Sequence, residues 1–299
     1  METTLLASGV GHPEGPVVLD DGRLVFCQAY DGTLGVWAAD EGIGTYARTG
    51  GCPNGAVLGN NDRLYVANNG GALGVFRTDD YGPGFIQRVH PDGSTEVVAR
   101  EVGGRTLNLP NDLVFGPDGR LYFTDPGAWS PEDEERKQDG FIMVLNSDGT
   151  GEVLVEVGKV FPNGIQAERD GSIVWVETYT RKVRRRRPNG VIEEVLTWED
   201  PRFEPDGLTV AANGDLLIAT LNSGGFHVVK PDGSGQILAD LGGTTLSNIT
   251  FGPGGDLYAT DLGTKPAATE GRVYFGRVLR IRSDRAGMPM FRGEIASSA

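Results

Sequence analysis

Basic residues, cysteine, histidine and long apolar runs are all scarce in this chain, and each scarcity closes off a class of protein. Twenty-seven Lys and Arg stand against 41 Asp and Glu, a net charge of -14 over 299 residues. Phosphates would be repelled over most of such a surface, so nucleic acid and anionic lipid are excluded as partners. The one basic run, Arg181 to Arg187, leads straight into the turn Pro188-Asn189-Gly190 without interleaved aromatics. It is expected to be a solvated strand with Val183 pointing inward. The two cysteines, Cys27 and Cys52, are expected as free thiols in small apolar spaces. None of the histidine pairs has zincin spacing and no Gly-x-Ser-x-Gly elbow occurs, which removes zinc-peptidase and serine-hydrolase readings. No apolar run approaches the roughly 18 residues of a membrane helix, and the start METTLLASGV lacks a basic segment followed by an apolar one. A soluble, cytoplasmic protein is expected, monomeric or weakly dimeric.

Glycine is abundant instead: 46 residues, about twice the usual share of roughly 7%. It punctuates a repeat in which a polar residue precedes a short apolar run, a glycine turn and a second apolar run. The copies are EGPVVLDDGRLVFC from Glu14, NGAVLGNNDRLYVAN from Asn54, NDLVFGPDGRLYFTD from Asn111, NGIQAERDGSIVWVE from Asn163, DGLTVAANGDLLIAT from Asp206 and SNITFGPGGDLYATD from Ser247. Their spacings of 40, 57, 52, 43 and 41 residues match a propeller blade. β-Branched and aromatic residues flanking turns such as Pro117-Asp118-Gly119 read as hairpins, and a second hairpin signal follows most copies, as at Pro91-Asp92-Gly93. No window carries a sustained helical period. The expected fold is all-β: residues 1–299 as a single six-bladed β-propeller, four antiparallel strands per blade. The strand-like segment Arg272 to Ile281 is expected to complete a blade with the residues before Glu14.

In a propeller the innermost strands line a central channel, so equivalent residues at their starts form a ring. Glu14, Asn54, Asn111, Asn163, Asp206 and Ser247 are those residues. Carboxylates and carboxamides are disfavoured in strands and costly to bury without partners. Two carboxylates converging on one axis repel unless a cation intervenes. Glu14 and Asp206 would balance a divalent charge, and the amide oxygens of Asn111 and Asn163 would raise the protein ligands to four. Hard oxygen donors suit Ca²⁺ first and Mg²⁺ or Mn²⁺ next, with Zn²⁺ or Fe²⁺ behind them. Calcium takes about six to eight oxygens, which leaves open positions for water or substrate.

The pieces Glu14-Gly15-Pro16, Pro110-Asn111-Asp112, Pro162-Asn163-Gly164 and Pro205-Asp206-Gly207 together resemble the SMP-30/gluconolactonase/LRE-like family over nearly the whole chain. The resemblance implies a six-bladed propeller with a catalytic divalent metal, in proteins that hydrolyse sugar lactones and, in relatives, organophosphates. By position, Glu14, Asn163 and Asp206 match the family's metal ligands. Asn111 matches a residue that is a ligand in some members and a substrate contact in others, and Asp206 matches the carboxylate proposed as base or nucleophile. Some sugar-lactonase members carry an arginine where this chain has Leu109, which turns the expectation toward a less polar lactone or ester.

The expected reaction is metal-assisted opening of a lactone ring, with Asp206 activating water or attacking directly. The alternatives are phosphotriester hydrolysis at the same site, or a non-catalytic propeller that a metal stabilises and that binds a partner on its top face. The connections Asn69 to Gly84 and Pro126 to Gly140 are expected to roof the site. The second brings Trp129 toward substrate and carries Glu132 to Glu135 as a solvated tip. His12, Cys52, Asn54 and Ser247 are the further expected substrate contacts.

Overall fold

Each repeat copy pairs with itself as an antiparallel hairpin and opens a four-stranded sheet, and six such sheets surround one axis. The computed structural model describes every residue except 75, 131, 132, 136, 264–274 and 297–299. The first strands of the six sheets are Pro13–Val18, Pro53–Leu58, Leu113–Phe115, Pro162–Ala167, Pro205–Val210 and Leu246–Phe251. Each touches the first strand of the blade on either side, so the six close a ring. We number the blades one to six in that order. Blade six takes its outermost strand from the start of the chain: Thr3–Val10 pairs antiparallel with Gly276–Ile281, from Thr3 opposite Ile281 to Val10 opposite Gly276. The predicted closure therefore holds, with residues 272–274 and Glu132 lying outside the described part. Among the described residues, helix is limited to the short 3-10 turns Ala29–Asp31, Asn60–Asp62 and Pro253–Gly255. Among the described residues no helix is long and apolar enough to cross a membrane.

Both faces of each sheet are apolar because each blade is covered by a neighbour on either side. Along one strand of blade four, Val174 and Val176 face a cluster with Leu208 and Ile218 of blade five, while Ile173 and Trp175 face one with Val114 and Ile142 of blade three. Strand periodicity alternates the side chains between the two interfaces. The basic segment becomes the strand Lys182–Arg186 with Val183 fully buried. Four of its charges, on Lys182, Arg184, Arg185 and Arg187, have acidic partners nearby. Arg185, 3% exposed, makes a two-pronged pair with Glu168 (2.6 and 2.8 Å), Lys182 pairs with Glu194 (2.7 Å) and Arg187 with Glu193 (2.8 Å). Cys27 and Cys52 are buried and form no disulfide.

The end of the channel opposite the ring is crossed by the C-terminal segment. Met288 N donates to Val210 O of blade five, and Asn60 N, at the end of blade two's first hairpin strand, donates to Gly293 O. Ile295 N then donates to Tyr65 Oη and Ala296 N to Ser147 O.

Candidate active site

A break in strand pairing pushes the ring residues out of their sheets. In five of the six blades the ladder between first and second strands slips at this point, between Glu14 and Val17, Pro53 and Ala56, Pro162 and Ile165, Pro205 and Leu208, and Leu246 and Asn248. Such bulges re-aim side chains, here toward the axis. The glycine after each of four ring residues is required by close approach. A Cβ on Gly15 would lie 2.6 Å from Asn54 O, on Gly55 2.6 Å from Asn111 O, and on Gly164 2.5 Å from Asp206 O. The inner strands thus meet backbone to backbone. Hydroxyls tie them together: Thr124 Oγ1 donates to Asn163 O, Thr178 Oγ1 to Pro205 O and Ser247 Oγ to Pro13 O, each at 2.8 Å.

Glu14, Asn54, Asn111, Asn163 and Asp206 share one pocket at the mouth of the channel, with His12 at its side. All five ring side chains are buried, at 4 to 7% exposure. Above them the wall is apolar, formed by Leu73, Leu109, Trp129, Phe161, Leu221 and Leu262. Among the described residues no Lys or Arg lines it. The pocket is open at its mouth, and its deep part holds about 60 Å³, room for a handful of waters. His12 and Phe161 occupy the same slot, two residues before Glu14 and Asn163, and both adopt a left-handed backbone (φ 51° and 52°). Non-glycine residues hold that conformation at a cost of about 1 to 3 kcal/mol, which recurs at functional sites.

Two of the predicted contacts go elsewhere. Ser247 is fully buried, its hydroxyl spent on Pro13 O and on Thr260 Oγ1 (2.9 Å), so it joins blade six to blade one. Cys52 is fully buried among Ala29, Tyr30 and Phe76. Asn54 lines the pocket while its Nδ2 donates to Asn111 O (3.3 Å). Trp129 both lines the pocket and packs edge-on against Phe161 (4.8 Å between ring centres), beside Tyr179 (5.7 Å). Tyr179 Oη accepts from Ser130 N at 2.6 Å and fixes this loop. The other roofing segment contributes Asn69, Leu73 and Gly74. The tip residue Glu134 is 81% exposed, as expected of a solvated loop.

Sequence reasoning passed over Asp112 and Asn248 as site residues. Both are buried directly behind the ring, and Asn248 Nδ2 lies 3.4 Å from Asp112 Oδ2. It also passed over Phe161, Leu221 and Leu262. The signal available for Phe161 was its place before Pro162, matching His12 before Pro13.

The electrostatics follow from burial without basic partners. Burial, then the negative charges of Asp206 and Asp112, push the Glu14 carboxyl well above the usual carboxylate range. Burial, then Asp112, does the same to Asp206, against the opposing effect of its hydrogen bond to Asn163. Burial raises Asp112 to about 6. Burial lowers His12 to about 4, so its ring is neutral at ordinary pH. No three His, Cys, Asp or Glu side chains among the described residues cluster closely enough to hold a metal by themselves. A cation held in this pocket would need amide oxygens, such as those of Asn111 and Asn163, beside the carboxylates of Glu14 and Asp206. That donor set fits a hard divalent ion, and two buried carboxylates without a basic neighbour are the charge such an ion would neutralise.

Fold and site together define a class: six-bladed propellers that gather buried oxygen donors at one mouth of the channel. The family model described as SMP-30/Gluconolactonase/LRE-like region matches residues 12–262, and the chain belongs to that family. A gluconolactonase of Zymomonas mobilis is 26% identical over 284 residues, covering 84% of this chain and 76% of that protein. Two solved structures share the fold. A gluconolactonase of Xanthomonas campestris matches with a TM-score of 0.72 at 20% identity, covering 94% of this chain and 89% of its own. The calcium-binding protein regucalcin of Agrobacterium tumefaciens matches with a TM-score of 0.75 at 17% identity, covering 98% and 96%.

Proposed function

We propose that this protein is a divalent-metal-dependent lactonase whose substrate is less polar than a sugar lactone. The observation that carries the reading is the pairing of two buried carboxylates, Glu14 and Asp206, with the carboxamides of Asn111 and Asn163 in one pocket without a basic side chain. Kinship with a gluconolactonase supports the reaction class. Regucalcin's calcium binding supports the choice of ion.

The ion, when bound by Glu14, Asn111, Asn163 and Asp206, would polarise the lactone carbonyl and stabilise the charge developing on its oxygen. The residues do the rest. Asp206 takes a proton from the attacking water as the new C–O bond forms; the ring C–O bond breaks, and the leaving alkoxide is protonated to give a hydroxy acid. Direct attack by the Asp206 carboxylate is the other route, and in it water enters in a second step. Asn163, hydrogen-bonded to both Asp206 and Thr178, holds that carboxylate in place. His12, neutral above about pH 4, offers a hydrogen bond rather than charge. Leu109 and Phe161 give sugar hydroxyls nothing to bond to, which favours apolar lactones.

The test is hydrolysis of a panel of γ- and δ-lactones, sugar and alkyl, by calcium-loaded and chelated protein, with a phosphotriester assayed alongside. Lactone opening that disappears on chelation and returns with calcium is expected. Full activity after complete chelation, or turnover of the phosphotriester alone, would overturn it.

A further inference from the structure

The residue after each ring position follows a pattern of its own. It is glycine in blades one, two, four and five (Gly15, Gly55, Gly164, Gly207) and polar in blades three and six (Asp112, Asn248). Blades three and six stand opposite each other in a ring of six, so these two side chains point at one another across the axis. They meet, with Asn248 Nδ2 donating to Asp112 Oδ2 at 3.4 Å, although the residues are 136 positions apart. The glycines make this geometrically possible. A Cβ on Gly207 would lie 2.2 Å from Asn248 Cγ and Oδ1, and one on Gly55 would lie 2.8 Å from Asp112 Oδ1.

Each side chain is clamped at its near oxygen by the next main-chain amide. Leu113 N donates to Asp112 Oδ1 (2.9 Å) and Ile249 N to Asn248 Oδ1 (2.8 Å). That clamp settles the carboxamide's orientation: its oxygen is used, so its two N–H donors face the axis. Asp112 takes one. Glu14 also interacts with Asn248, which works against the burial that pushes its carboxyl up. Asn248 thus stands as a neutral crosspiece between two buried carboxylates from different blades; Arg292, which also lines the cavity beneath, pairs with Asp20 instead. Behind the pair lies a second cavity of about 390 Å³, lined by Gln166, Met288 and Met290 among others, reaching toward the C-terminal segment.

We propose that Asn248 is the positioning residue of the cation site: it holds the Glu14 carboxylate toward the ring and, with Asp112, forms the floor that divides the upper pocket from the lower cavity. The inference rests on the proposed reading of the ring as a cation site. Residues that orient a metal ligand are typically worth 10- to 100-fold in metal affinity.

The experiment is calorimetric titration of the full chain with calcium for wild type, Asn248→Ala and Gly207→Ala, each with a thermal melt of the metal-free protein. Gly207→Ala keeps every polar group and displaces Asn248, so it carries the test if Asn248→Ala does not fold. Calcium binding weakened by about 10- to 100-fold in a folded variant is expected. A folded variant that binds calcium within about twofold of wild type would overturn the proposal. Failure of the wild type itself to bind calcium, magnesium or manganese would overturn the cation-site reading and this one with it, and is distinguished because it appears without any substitution.

Discussion

Ser247 Oγ donates to the main-chain oxygen of Pro13 at 2.8 Å, a bond between residues 234 positions apart that joins the last inner strand to the first. Removing a hydroxyl from such a buried pair leaves an acceptor unsatisfied, at a cost of about 1 to 3 kcal/mol. Ser247→Ala should therefore lower stability by about that amount in denaturant unfolding while leaving lactone turnover close to wild type. A selective loss of kcat/KM with unchanged stability would return Ser247 to the substrate pocket.

Asp206→Asn should separate function from stability. Loss of the base is expected to reduce turnover by about 10² to 10⁴-fold. The metal-free protein should instead become more stable above neutral pH. The sign follows from linkage: the native carboxyl holds its proton more tightly than the unfolded one, so ionising it at higher pH weakens the metal-free fold. A neutral amide removes that penalty. Thermal melts in chelator at pH 8, with wild type alongside, decide the point, and a lower melting temperature for the variant would count against it.

Calcium affinity should rise with pH. Glu14 and Asp206 both titrate well above the usual carboxylate range in the metal-free protein, so the ion must displace protons to bind. Titrations in two buffers of different ionisation enthalpy should show proton release that shrinks as pH increases. An affinity that is flat from pH 5 to 8 would mean the carboxylates are already ionised without metal.

Trp129 and Leu109 should govern which lactones are opened. Trp129→Ala removes an aromatic face worth about 1.5 to 3 kcal/mol of burial, so kcat/KM for alkyl lactones should fall by about 10- to 100-fold. Leu109→Arg should depress the same substrates and improve hydroxylated ones. Parallel losses across both substrate sets would show that these side chains shape the loop rather than the specificity.

The blades were legible because strand and turn chemistry are local. Pro91-Asp92-Gly93, Ser147-Asp148-Gly149, Pro188-Asn189-Gly190 and Pro231-Asp232-Gly233 each turn between a third and a fourth strand. Glu14, Asn111, Asn163 and Asp206 stood out because each is a polar residue opening an apolar strand. Ser247 shares that register, yet its short hydroxyl reaches the neighbouring backbone rather than the pocket. Cys52 shares the slot of His12 but lacks its left-handed backbone and packs into an apolar cluster instead.

From composition and spacing alone came the number of blades, their strand order, the borrowed first strand and the polar ring, since each depends on residues a few positions apart or on a fixed period. Tertiary structure decided how Gly55 and Gly207 make room for Asp112 and Asn248 to meet, which apolar side chains wall the pocket, and how the C-terminal segment crosses the far end. Those relations join residues from about forty to more than two hundred positions apart, and they depend on close approach between blades, which no local pattern encodes.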